Sequence, residues 1–103
     1  MRNIFKNFTA VDDGLTIFDE NELSNAIDMI NVEKATIAAV GTFGGATVTV
    51  QISTDGTNFV TSGLTIAAAG KVDLTIPCRL VRLSIAGGAG AAITAAIVMR
   101  TLD

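Results

Sequence analysis

The sequence predicts an all-β protein: an antiparallel β-sandwich of jelly-roll or immunoglobulin-like type, with about eight short strands. Three observations predict it. Apolar, mostly β-branched residues recur at a period of two in several runs. Asp-Gly pairs and glycine-rich stretches, which supply the positive φ of tight turns, separate those runs at short intervals. The chain has 103 residues, enough for one domain with a thin core, since a chain of this size buries roughly 65% of its unfolded surface.

Residues 1–12 differ from the rest. Ile4, Phe5 and Phe8 sit beside Arg2 and Lys6, so two of the five aromatic residues fall in the first eight. Termini are loose unless tied down. This segment therefore reads as an edge strand or as an arm docked on a neighbouring subunit, with residues 13–103 forming the sandwich. Strands are expected at 15–18, 26–30 and 33–40. The run 46–53 is clearer, with Ala46, Val48, Val50 and Ile52 on one face and hydroxyl or amide side chains on the other.

Residues 59–61 and 64–66 read as strand on either side of a Ser62-Gly63 turn. Phe59 follows the turn at 55–58 and is expected to staple that hairpin to the core. In 71–76, Val72, Leu74 and Ile76 form an inward set; in 80–85, Val81, Leu83 and Ile85 form another. Pro77 lies between these two runs, where a missing N–H does least harm. The stretch 92–100 is Ala-rich, but Ile93, Thr94, Ile97 and Val98 are β-branched and no helix cap precedes them, so it reads as strand. Further turns fall at Asp13-Gly14, 41–45, Asp55-Gly56, Ala69-Gly70 and 87–90.

Charge is sparse and uneven. Charged residues make up 17% of the chain against about 25% in typical soluble domains, while 50% are hydrophobic. From residue 35 onward the charges are only Asp55, Lys71, Asp73, Arg79, Arg82, Arg100 and Asp103. So little charge on so small a domain implies surface covered by other protein, hence a homo-oligomer or a bound subunit. The net charge of −3 lacks the clustered basic patch that nucleic acid requires.

The function classes that need specific chemistry fall away. With no His, Tyr or Trp, and one cysteine, Cys78, neither a Ser-His-Asp triad nor an activated thiol is possible, so no enzyme is expected. Cys/His zinc sites and internal disulfides are excluded as well. Asp12, Asp13, Asp19, Glu20 and Glu22 depart from calcium-loop spacing and read as a solvated loop. The glycine runs lack the Lys-Ser/Thr of a phosphate loop. No cofactor is expected. Residues 1–8 hold no apolar h-region, so no signal peptide is expected. The uncharged stretch 83–99 approaches membrane-span length, but three glycines interrupt it, so no membrane span is expected.

What remains is contact surface. The candidates are Ile4, Phe5 and Phe8 in the first segment and Ala91 and Ala92 among the small-residue runs. Arg82 joins them, expected on an outer face with Leu80 and Ser84 either as an interface anchor or as an ordinary solubilising charge.

One stretch carries a family resemblance. Residues 26–40 lead into Gly41-Thr42-Phe43-Gly44-Gly45-Ala46, then a strand ending in Ser53-Thr54-Asp55-Gly56-Thr57-Asn58-Phe59, and later Pro77-Cys78-Arg79-Leu80-Val81-Arg82-Leu83 before a Gly-rich turn. This resembles the small β-sandwich accessory proteins of tailed bacteriophages, most of all capsid decoration (cement) proteins. The resemblance implies a structural virion protein, made in the host cytoplasm, that sits on the capsid surface. There it would bind the major capsid protein and bridge coat subunits, often as a trimer. A tail-fibre or head-appendage module binding host glycan or protein is the alternative, and a head-tail connector or tail completion protein a further one. The resemblance covers residues 25–100 and carries over no functional residue.

Overall fold

The computed structural model describes residues 2–12 and 14–102. Ten strands and no helix occur among them: β1 (Asn3–Asn7), β2 (Ile17–Phe18), β3 (Glu22–Leu23), β4 (Ile27–Asp28), β5 (Val32–Thr42), β6 (Thr47–Ser53), β7 (Val60–Ile66), β8 (Gly70–Leu74), β9 (Leu80–Ala86) and β10 (Ala92–Thr101). They form two antiparallel five-stranded sheets, as the alternation predicts for a sandwich. The first runs β1-β10-β5-β8, with β2 also on β10; the second runs β3-β9-β6-β7, with β4 also on β9.

The first sheet is organised by its two long strands. β5 and β10 pair from Ala92 opposite Thr42 to Thr101 opposite Val32. Their β-branched and small residues suit a pleated surface buried on one side. Ile37, Ala39, Ile93, Ala95, Ile97 and Met99 face inward and are buried. From the second sheet, Val48, Val50, Val81, Leu83 and Ile85 meet them. Phe8 and Phe18 are fully buried and belong to the same cluster.

The structure corrects several expectations. There are ten strands rather than about eight, because β1 and the two-residue β3 also pair. Residues 60–66 form one strand with a bulge where a Ser62-Gly63 turn was expected: the register with β6 shifts between Thr49 and Gln51, and Ser62 Oγ donates to the Val50 carbonyl at 2.7 Å. Ile76 is 41% exposed, because β8 ends at Leu74 and the alternation does not extend past that residue, and Val72, inside the edge strand β8, is only half-buried. The stretch 83–99 is two strands and a turn, and no helix long and apolar enough to cross a membrane occurs among the described residues. Asp13 of the expected Asp13-Gly14 turn lies outside the described residues.

Glycines close the end where the sheets meet. Gly41 sits in β5 at φ 116°, and a Cβ there would overlap the Ala92 carbonyl oxygen. Gly44 accepts from the Ala89 N–H at 2.9 Å, which ties the 41–45 turn to the 87–90 turn. Glu20 Oε1 accepts from the N–H of Gly90 at 2.6 Å and of Ala91 at 3.4 Å. Glu22 Oε1 accepts from the Asp19 N–H at 2.9 Å. Part of the acidic loop thus serves as internal hydrogen-bond acceptors rather than only as solvated charge.

Candidate interaction surface

Side chains opposite one another in an antiparallel pair share a face. The outer face of the first sheet can therefore be read from its registers. β1 places Phe5 opposite Val98, β2 places Ile17 opposite Thr94, and Val40 of β5 lies across from Thr94 on the other side. Ala38 and Ala96 pair at the centre. Phe5 is 75%, Val40 54%, Ile17 51% and Val98 36% exposed. These four lie on one face around the small Ala38 and Ala96, with Asn7 opposite Ala96 and with Lys71 and Asp73 along the β8 edge opposite Ala38 and Thr36. At one end Lys34 and Arg100 stand directly opposite each other. With Asn3, Thr36 and Val98 they line a depression of about 120 Å³.

The outer face of the second sheet is chemically different. Thr49 pairs with Ser84 and Thr65, and Gln51 with Arg82 and Thr61. Arg82 Nε donates to Gln51 Oε1 at 2.7 Å, and its guanidinium carbon lies 4.0 Å from the centre of the Phe59 ring. Arg82 is thus on the outer face with Leu80 and Ser84, held by neighbours within its own chain. Phe59 is half-buried under that guanidinium and is not part of the core expected of it.

A smaller apolar group lies where the two sheets come together. Val11 and Leu15 are 58% and Leu23 41% exposed. The backbone gathers them: Val11 N–H donates to the Leu23 carbonyl at 2.9 Å, and Ala10 N–H to that of Leu15 at 2.5 Å.

Of the residues singled out in the sequence, Phe5 and Ala92 are exposed on the first sheet's outer face, and Ile4 is half-buried against the core. Phe8 is a correction: it is fully buried, and its N–H donates to the Ala95 carbonyl at 3.1 Å, so it anchors the start of the chain inside the sandwich. Ala91 is a second correction, 4% exposed beneath the Glu20 carboxylate. The first segment does not project as a separate arm over its described part. Asn3–Asn7 is an edge strand, and Ala10 bridges to Ser24 of the other sheet. Ile17, Val40 and Val98 were missed. Their signal was present, as the off-phase members of runs whose in-phase members form the core.

Two carboxyls are held below the usual carboxylate range. Asp55 accepts from the backbone N–H of Asn58 and of Thr57, each at 2.8 Å, then from the Asn58 amide and the Ser53 hydroxyl, all of which favour its ionised form. That is turn chemistry, with Asp55 shaping the 54–58 loop. Asp73 is lowered by the Thr36 hydroxyl and then by Lys71. Partial burial pushes the Cys78 thiol up, which disfavours the reactive thiolate. Among the described residues no group of three or more Cys, Asp or Glu is arranged to hold a metal ion.

No protein-family model and no curated protein matches the sequence. The fold is similar to that in the crystal structure of the SPBc2 prophage-derived protein YomS, with a TM-score of 0.71 over 96% of this chain and 95% of that chain. Sequence identity between the two is 7%, so the likeness is one of fold.

Proposed function

We propose that the protein is a structural component of a bacteriophage particle, a decoration protein that binds the capsid surface and stabilises the shell by bridging coat subunits. One observation carries this reading. Seven of the eleven exposed large apolar side chains among the described residues fall on two separate surfaces, the first sheet's outer face and the Val11/Leu15/Leu23 corner; Ile30, Val60, Ile76 and Leu102 belong to neither. A protein that bridges needs at least two contact surfaces, and contiguous exposed apolar patches mark contact sites. The hairpin resemblance and the fold shared with a prophage-derived protein support the phage setting. The absence of His, Tyr and Trp from the sequence supports a role in contact rather than catalysis.

The test is made on purified particles of the encoding phage. Many copies per shell are expected, and stripping them should lower the temperature at which the shell releases its DNA. A few copies at one vertex would point to a connector instead. Absence from particles, or unchanged heat stability after stripping, would refute the proposal.

A further inference from the structure

We infer that the outer face of the first sheet is covered by a second copy of the chain, packed face to face about a two-fold axis that crosses the strands at Ala38 and Ala96. The inference stands whether or not the protein belongs to a phage particle; if it does, the Val11/Leu15/Leu23 corner is left free for the shell.

The area is adequate. Ten residues of β10 span about 33 Å, and four strand positions of about 4.8 Å each give about 19 Å of width, β1 and β2 sharing one position beside β10. That flat footprint of about 600 Å² is enlarged by side-chain relief toward the ~800 Å² per partner of a standard interface. Strand addition at the β1 edge is disfavoured, because Lys6 lies opposite the inward-facing Ile97 and places a charge on the core side of that edge.

The pattern on the face is self-complementary under one two-fold only. Rotation about an axis perpendicular to the strands keeps each strand's lateral position and reverses its direction. Ala38 and Ala96, at mid-length, then meet their own copies, and small residues there allow close approach; at the β8 edge of the same row Lys71 meets its own copy, between its own Asp73 and the partner's. Phe5, one step from the centre on the β1 side, falls over the partner's Ile17, one step the other way on the same side. The Lys34/Arg100 end falls over the partner's Ala92 end, beside the acidic turn of Asp19 and Glu20 that follows β2.

The charges need that arrangement. Lys34 and Arg100 are like charges directly opposite one another, a destabilising pair. No acid forms an ion pair with either among the described residues; Asp73 is held by Thr36 and Lys71 and adds only a weaker, longer-range attraction to Lys34. An axis parallel to the strands would instead stack the basic ends on each other. A closed three-fold needs two different surfaces per chain at the contact, whereas this face complements itself, so a dimer replaces the trimer that the family resemblance implies.

The test is sedimentation of the full chain. Wild type should sediment as a dimer at micromolar concentration. Phe5→Glu should raise the dimer dissociation constant at least ~30-fold, the effect of losing a central aromatic anchor, and its circular dichroism should show a folded chain because Phe5 lies on the surface. Arg100→Asp and Asp19→Arg should each weaken the dimer, and the double variant should regain it. A wild-type monomer or trimer, an undiminished F5E dimer, or no recovery in the double variant would overturn the inference. None of these outcomes bears on whether the protein is found on phage shells.

Discussion

On β10, Ile93, Ala95, Ile97 and Met99 point inward and are buried; on β9, Val81, Leu83 and Ile85 do the same from the opposite sheet. Outward, the strands part company. β10 and its neighbours show Phe5, Ile17, Val40 and Val98, while β9, β6 and β7 show Thr47, Thr49, Gln51, Thr61, Thr65 and the Arg82–Phe59 stack, with Leu23 of β3 the one large exposed apolar group beside them. The core requires only the inward half of each pattern. The outward half is free to vary, and under the proposed dimer its difference separates the sheet that meets another chain from the sheet that does not.

The comparison makes the interior equivalent on both sides, so core truncations in either sheet should be alike and large. Phe8→Ala should cost about 3–5 kcal/mol and Leu83→Ala about 2–5 kcal/mol in urea unfolding. A loss under ~1 kcal/mol for Phe8 would mean that the start of the chain packs elsewhere. Gly41→Ala should cost about 1–3 kcal/mol, because the residue must hold a positive φ with its Cβ against the Ala92 carbonyl; a neutral result would show that β5 relaxes at that point.

Outer-face changes should be smaller and should separate the sheets. Arg82→Ala should cost about 1 kcal/mol of folding stability through the lost Gln51 hydrogen bond and Phe59 stack, with no effect on self-association. Val40→Thr should leave folding stability within about 0.5 kcal/mol of wild type yet weaken self-association, measured by sedimentation. The reverse outcome for this pair would assign the contact to the wrong sheet.

The smallest expected effect is at Asp55. Its ionised form is favoured in the fold, so its folded pKa lies below the ordinary 3.8. Its contribution is present above that ordinary value and is lost as pH falls through the folded one. Asp55→Ala should therefore lower the thermal midpoint slightly near pH 6, and the gap should narrow as the pH drops below about 4. A gap that widened in acid would contradict the hydrogen-bond assignment.

Much of this was legible in the residues. The alternations at Val48/Val50/Ile52 and Val81/Leu83/Ile85 fixed both inward sets, since a period of two has only two phases and burial selects one. Alternation does not show where a strand stops, which is why Ile76 was assigned inward. Phe5 and Phe8, three apart, fall in opposite phases, as do the adjacent Ala91 and Ala92; taking each pair as one surface overlooked that parity. Arg82 was placed on the correct face, but Gln51 and Phe59 as its partners depend on which strand pairs with β9, which spacing along one chain does not encode. The apolar outer face was hidden for the same reason. Phe5, Ile17, Val40 and Val98 are scattered over 94 positions, and only the sheet order brings them together.

The central claim, that the chain meets its own copy through the outer face of one sheet, is tested most directly by paired single-thiol variants. Cys78→Ser removes the lone native thiol, and Ala96→Cys or Thr49→Cys then puts one thiol on each outer face. With a short bifunctional maleimide, Ala96→Cys should give a covalent dimer in high yield at low micromolar concentration, and Thr49→Cys only background. Equal yields from the two faces, or dimer from Thr49→Cys alone, would contradict the account.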